Sequence, residues 1–213
     1  FFLGLAGAPF QDLLHQLDLD GIPRVEQARH RRDARRQETL TVADQGFTSA
    51  IVNGEHAASG AAEGNPSFPN EHRAEAMAGA THILLTHGHF DHTSEVDAIA
   101  RETGAPVVGI PELCAIFDAH ETIDFNKGGT VDLNGAMVSM VQATHSSSVG
   151  SAYAGTEAGY MIKAEGRTIY VSGDTDIMAD MDWMGDFYNP DIGILCCGGH
   201  YTMGMEGAAY AAK

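Results

Sequence analysis

A chain of 213 residues that is 44% hydrophobic has the size of one ordinary domain and enough apolar material for a real core. Its formal net charge of −17 argues against a nucleic-acid backbone as main partner, because phosphate contacts need clustered Lys and Arg. No apolar run approaches the ~18 residues that a membrane-spanning helix requires.

The opening FFLGLAGAPFQDLL has no basic n-region and no cleavage pattern, so no signal peptide is read there. The chain does not start with Met, and the expectation is that it begins inside a gene. A short amphipathic helix is expected around Leu13, Leu14 and Leu17. Arg24 to Arg36 (RVEQARHRRDARR) holds six of the twelve basic residues, but Glu26 and Asp33 interrupt it, as on a solvated helix face or a disordered tail. A Gly, Ala and Ser-rich stretch follows to Gly64. Residues 1–60 therefore read as an atypical N-terminal segment, disordered or foreign to the rest, and show no chemistry. Residues 61–213, with 21 acidic and six basic side chains, read as the working domain.

That domain alternates two kinds of segment. THILLT (81–86) predicts a strand, residues 93–102 a helix closing near Gly104, APVVGI (105–110) a strand, and Pro111 to Ala119 a helix. Two hairpins follow: TVDL and AMVSMVQAT flank Asn134-Gly135, and GYMIKA and RTIYVS flank Glu165-Gly166. A helix from Asp176 to about Phe187 and a last strand, DIGILCC (191–197), complete a layered α/β pattern.

Between the first strand and its helix lies THGHFDH, which puts His87, His89, Asp91 and His92 within six positions. With 11 His in the chain, HxHxDH should arise by accident in roughly two chains per thousand of this composition. Side chains two apart in an extended stretch point the same way, so His87 and His89 can converge on one ion. Asp91 and His92, where the chain bends into the helix, would serve a second. The bland alternative is a polar, solvated turn. Imidazole and carboxylate donors suit zinc first, with manganese or iron as alternatives. Three further groups end strands, where open α/β sheets bind ligands: His145 before three serines, Asp174 within SGDT, and His200 after Gly198-Gly199. A lone His or Asp at a strand end is more often a cap, yet three of them downstream of HxHxDH favour a second part of the same site.

HxHxDH, a later strand-end His and GDT resemble the metallo-β-lactamase superfamily. GNPSFP (64–69), THGHFDH, THSSS (144–148), SGDT and GGHYTMG (198–204) resemble, more narrowly, the UPF0173 metal-dependent hydrolases, relatives of the ascorbate-phosphate lactonase, over about residues 63–213. The resemblance implies an αββα four-layer sandwich of the α/β class with two divalent metal ions. His87, His89 and His145 would hold the first ion, Asp91 and His92 the second, and Asp174 would bridge them. The family's leading strands have no counterpart in residues 1–60, and its final metal-binding His, in an HYGTF-like stretch, would lie beyond Lys213. The fold is therefore expected to be atypical at its N-terminal side and truncated at its C-terminal side.

The function expected is hydrolysis of a small ester, lactone or phosphodiester by a metal-activated water. Asp91 would orient that water or move its proton, and His200 would donate to the leaving group or oxyanion. The alternative is a catalytically silent metal-binding fragment of such a hydrolase. A redox di-iron protein would want a carboxylate at the place of His89. Ser146 to Ser148 orient His145, touch substrate or form a polar turn. The partner expected is a small-molecule substrate, with no nucleic acid and no membrane, and a homo-oligomer is left open. Three Cys without disulfide or zinc-knuckle spacing suit a reducing, cytoplasmic setting. His82, opening its strand, is expected at the surface, and His15, His30, His56, His72 and His120 lack partners at ligand spacing. Cys196 and Cys197 read as buried, inert thiols, and Met178, Met181 and Met184 as core packing.

Overall fold

The computed structural model describes residues 80–213 and two short strands, β1 (Phe2–Leu3) and β2 (Leu40–Val42). The expected helix around Leu13, the basic run and GNPSFP lie outside the described residues. Chain order continues as β3 (His82–Leu84), α1 (Phe90–Thr93), α2 (Val96–Thr103), β4 (Val107–Gly109), α3 (Pro111–Cys114) and β5 (Thr122–Asp124). Then come β6 (Thr130–Leu133), β7 (Ala136–Gln142), β8 (Ser148–Val149), β9 (Ala152–Tyr153), β10 (Ala158–Ala164) and β11 (Arg167–Val171). The last elements are α4 (Asp180–Tyr188), β12 (Ile192–Ile194) and α5 (Met205–Ala211).

Both hairpins form where expected. Asn134 and Gly135 take φ of 56° and 95°, the pair of positive values that a two-residue turn matching strand twist requires. Glu165-Gly166 makes the same turn between β10 and β11. Antiparallel β6, β7, β10 and β11 continue through parallel β12 and β2 into a six-stranded sheet of order β2-β12-β11-β10-β7-β6. A four-stranded sheet, β1-β3-β4-β5, pairs β3, β4 and β5 in parallel, and β8-β9 stands apart as a small hairpin.

Alternation within the strands builds the layers. Val138, Met140, Tyr160, Ile162 and Ile169 of the large sheet join Ile83, Leu84, Val107 and Val108 of the small sheet in one buried cluster, to which α2 adds Val96, Ile99 and Ala100. The other face of the large sheet, Val141, Met161 and Tyr170, packs with Met184 of α4 and Ala208 of α5. Met178 and Met181 pack against that second cluster, as expected of core thioethers. Two sheets packed face to face with helices outside them give the αββα sandwich.

Several expectations are corrected. The first helix is interrupted: α1 stops at Thr93, whose hydroxyl donates to the carbonyls of Gly88 and His89, and α2 starts at Val96. The helix from Pro111 ends at Cys114 and passes into a 3-10 turn over Ala115–Phe117. The helix expected from Asp176 starts at Asp180, because Asp176 N–H donates to Thr144 O and Asp176 Oδ1 accepts Ile177 N–H, which fixes the segment as a loop. His82 is buried rather than at the surface, since every residue of β3 lies inside the small sheet, and its Nδ1 lies 2.9 Å from Thr81 Oγ1. Cys196 and Cys197 follow the strand and are half-buried, and none of the three cysteines is disulfide-bonded. Among the described residues, no helix is long and apolar enough to cross a membrane.

One buried bond ties the two sheets together beside the motif. Tyr160 of β10, fully buried, donates its hydroxyl to Leu85 O at 2.6 Å, just past β3. Tyr160→Phe keeps the ring but strands that carbonyl, and it should cost about 1–3 kcal/mol of stability. Urea denaturation of the two proteins measures it.

Candidate metal centre

The strand ends that carry the motif meet around Ala158. Its N–H donates to Thr86 O at the end of β3, it pairs with Gln142 at the end of β7, and Tyr160 two residues on pairs with Val171 at the end of β11. Residues leaving those three ends, 87–92, 143–146 and 172–175, therefore enter one volume.

There the structure brings six of the expected residues together. His87 Nε2 lies 3.1 Å from His89 Nδ1, and His145 Nε2 lies 3.2 Å from the same atom. A tetrahedral ion about 2.0–2.1 Å from each nitrogen sets ligand nitrogens about 3.3–3.4 Å apart, so these spacings fit one ion held by three imidazoles. His87, His92 and Asp174 make a second triad that shares His87 with the first. Asp174 Oδ2 sits 3.4 Å from His92 Nε2 and 3.8 Å from His145 Nε2, between the two groups. Asp91 Oδ2 is 3.6 Å from His92 Nε2, and the Asp91 side chain is 74% exposed, at the water side. His200 lies outside both triads: it is exposed, with its ring edge-on to Tyr201 at 4.4 Å. Its loop is nevertheless laid beside the centre by Met203 N–H, which donates to Thr175 O.

Burial, and then the neighbouring rings of His92, His89 and His145, push His87 well below the usual imidazole range. Burial and His145 lower His89 as well, against the opposing pull of Asp91 and Asp174. Neutral rings with inward lone pairs are the protonation state that metal ligation needs. Burial by itself would raise Asp174, but the hydrogen bond from His92 and the His92, His145 and His89 rings outweigh it and hold the carboxyl below its ordinary range.

Outer groups set the rings. With His89 Nδ1 facing the cluster, Nε2 carries the proton and donates it to Ser146 Oγ at 3.2 Å. His87 Nδ1 likewise donates to Thr86 Oγ1 at 3.1 Å. Ser146 thus serves His89 rather than His145. His145 is placed through its backbone: its N–H donates to Glu157 Oε1 at 2.9 Å, while Thr144 N–H donates to Thr175 Oγ1. Ser147 Oγ accepts Gly88 N–H and donates to Ala154 O, tying the motif turn to the small hairpin. Glu157 lies in no motif and had no signal in the sequence. Thr86 and Thr175 are the outer letters of THGHFDH and SGDT.

Comparison with known proteins identifies the family. A family model described as a β-lactamase superfamily domain matches residues 57–213. A UPF0173 metal-dependent hydrolase of Paracoccus denitrificans is 62% identical over 157 residues, covering 70% of this chain and 68% of its own. The chain belongs to the UPF0173 metal-dependent hydrolases of the β-lactamase superfamily. Among solved structures, Igni18, a metallo hydrolase from Ignicoccus hospitalis, matches with a TM-score of 0.57 at 33% identity, over 62% of this chain and 58% of that one. The match thus spans less than two thirds of Igni18. YhfI of Bacillus subtilis, a metallo-β-lactamase fold protein, matches with a TM-score of 0.53 at 15% identity over 67% of this chain and 65% of its own, and shows the fold alone.

For this UPF0173 member, two outcomes follow from the packing and charge of the centre. A Cβ added at Gly88 would stand 2.7 Å from Ala154 Cβ, so Gly88→Ala must push the motif turn off the hairpin. It should cost about 1–3 kcal/mol and weaken metal retention, read from the melting temperature and metal content. Acid should weaken the metal-free fold. Unfolded imidazoles take up protons near pH 6.5 while His87 and His89 resist, so the unfolded state binds more protons and stability falls as pH drops through about 6.5. Urea midpoints of chelator-treated protein at pH 7.5 and 5.5 test the direction.

Proposed function

We propose that the chain is a hydrolase that cleaves an ester, lactone or phosphodiester bond of a small molecule with two divalent ions, zinc first and manganese or iron as alternatives. His87, His89 and His145 would hold one ion and Asp91 and His92 the other, with Asp174 shared between them. The observation that carries the reading is the placement of Asp174 Oδ2 between His92 and His145, at the seam of two triads that share His87.

Divalent ions bound there supply a lowered water pKa, from 15.7 toward about 7, and polarisation of the scissile oxygen. The residues do the rest. Asp91, on the solvent side and beside His92, orients the attacking water and takes up its proton. Thr86 and Ser146 keep His87 and His89 in the ligating tautomers. His200, on the exposed loop anchored at Thr175, donates a proton to the leaving group or oxyanion. No Ser or Cys nucleophile is required. Cys114 is unsuited to that role in any case, because burial pushes its thiol up to about 11. Three unbridged thiols are consistent with a reducing, cytoplasmic setting.

His87→Ala should remove most bound metal and lower turnover of p-nitrophenyl esters or bis-p-nitrophenyl phosphate at least about 100-fold, the scale of losing charge stabilisation at the reacting centre. Asp174→Asn should keep close to one ion per chain and lose the second. Metal content equal to the parent in His87→Ala, or turnover that survives chelation, overturns the reading. A silent metal-binding chain would hold the same metal with no chelator-sensitive hydrolysis.

A further inference from the structure

The segments around the metal centre carry large side chains that coordination does not use. Phe90 stands between His89 and Asp91 and is 80% exposed. Tyr153, exposed on β9, pairs with Ser148 in the hairpin that Ser147 ties to Gly88. Ile177 is exposed next to Asp176, whose N–H is bonded to Thr144 beside His145. Tyr201, 81% exposed, follows His200 in the loop anchored at Thr175, next to Asp174. Four apolar or aromatic side chains thus stand in water on the four segments that meet at the ligands. Exposed apolar side chains on the segments that carry a polar centre are the material from which a ligand-binding mouth is made.

Among the described residues, side-chain charge at this end does not suit an anion. Among the described residues, Lys163 and Arg167 flank the Glu165-Gly166 turn, about 17 Å along β10 from Ala158. Arg167 is paired with Asp191, Arg101 donates to Asp97 O within α2, and Lys213 lies over the Tyr210 ring. Lys127 comes nearer, but its Nζ donates to Gln142 Oε1 and Glu157 acts on it. Among the described residues, the carboxylates of Asp91, Asp174 and Glu157 stand at the centre and Lys127 is held by Gln142, so no cationic side chain is placed to receive a phosphate group.

Resting on the hydrolase reading above, we propose that the centre takes an uncharged acyl substrate with an apolar or aryl substituent, a neutral ester or lactone, rather than a phosphate ester. Phe90 and Tyr153 are the residues that hold the apolar part.

The test uses the metal-loaded full chain. Across p-nitrophenyl acetate, butyrate and hexanoate, kcat/KM should rise about two- to fourfold per added methylene, mainly through KM. A Phe90→Ser, Tyr153→Ser double variant, changed only at exposed positions, should flatten that series at unchanged metal content. Triethyl phosphate and diethyl phosphate, a neutral and an anionic ligand of similar shape, are then compared by calorimetry, with the neutral one expected to bind tighter. Hexanamide against acetamide reads the rim without turnover, with at least a tenfold preference for hexanamide in the parent and none in the double variant. A flat ester series, equal binding of the two amides, or tighter binding of diethyl phosphate, above all if lost in Lys127→Met, overturns the proposal. Hexanamide preferred with metal bound, yet no ester or phosphodiester turned over, leaves the rim standing and sinks the hydrolase reading instead.

Discussion

His87 is fully buried with three other imidazoles around it, and the rest of the molecule serves to keep that arrangement in place. Burial and the rings around them hold His87 and His89 toward the neutral form, because two protonated rings with nitrogens 3.1 Å apart repel and burial removes the water that would screen them. Each ring then has a single proton to place. Thr86 takes that of His87 and Ser146 that of His89, which leaves the inward lone pairs free. The donor set follows from small hydroxyls as much as from the histidines themselves.

Holding those rings falls to contacts between loops rather than within them. Thr144 and its neighbour His145 are gripped from both sides, by Thr175 and by Glu157, and the Thr144 carbonyl accepts the N–H of Asp176. Ser147 reaches across to Gly88, where the absence of a side chain lets the motif turn lie against Ala154. Behind the loops, Tyr160 and Ala158 fasten the large sheet to the end of β3. Short loops on two fastened sheets give the precision that a multi-ligand centre demands.

Much of this was legible in the residues. Asn134-Gly135 and Glu165-Gly166 pointed to two hairpins because a glycine in each serves a turn at positive φ, and HxHxDH after an apolar run placed the candidate ligands because period-two geometry is local. His145 and Asp174 were reachable as strand ends, although only the fold brings them to His89 and His92. What escaped depends on long-range packing. Glu157 is an ordinary acid in a loop until His145 N–H meets it, β5 exists because β4 offers an edge, and His82 is interior because β3 is paired on both edges inside the small sheet. The start of α4 was misplaced because Asp176 spends its backbone on Thr144, a partner far away in the chain.

The bond from Ala158 to Thr86, across a long stretch of chain, sets an order of events during synthesis. His87 and His89 leave the ribosome well before β7, β10 and β11 exist to present His145 and Asp174. At about 5–20 residues per second, the interval between His89 and Asp174 is roughly 4–17 s. Early in that interval the nascent chain carries His87, His89, Asp91 and His92 without the partners that the later strands bring to them. On the metal-centre reading, the full donor set would exist only once the meander closes over β3, so an ion would be selected by an almost finished fold.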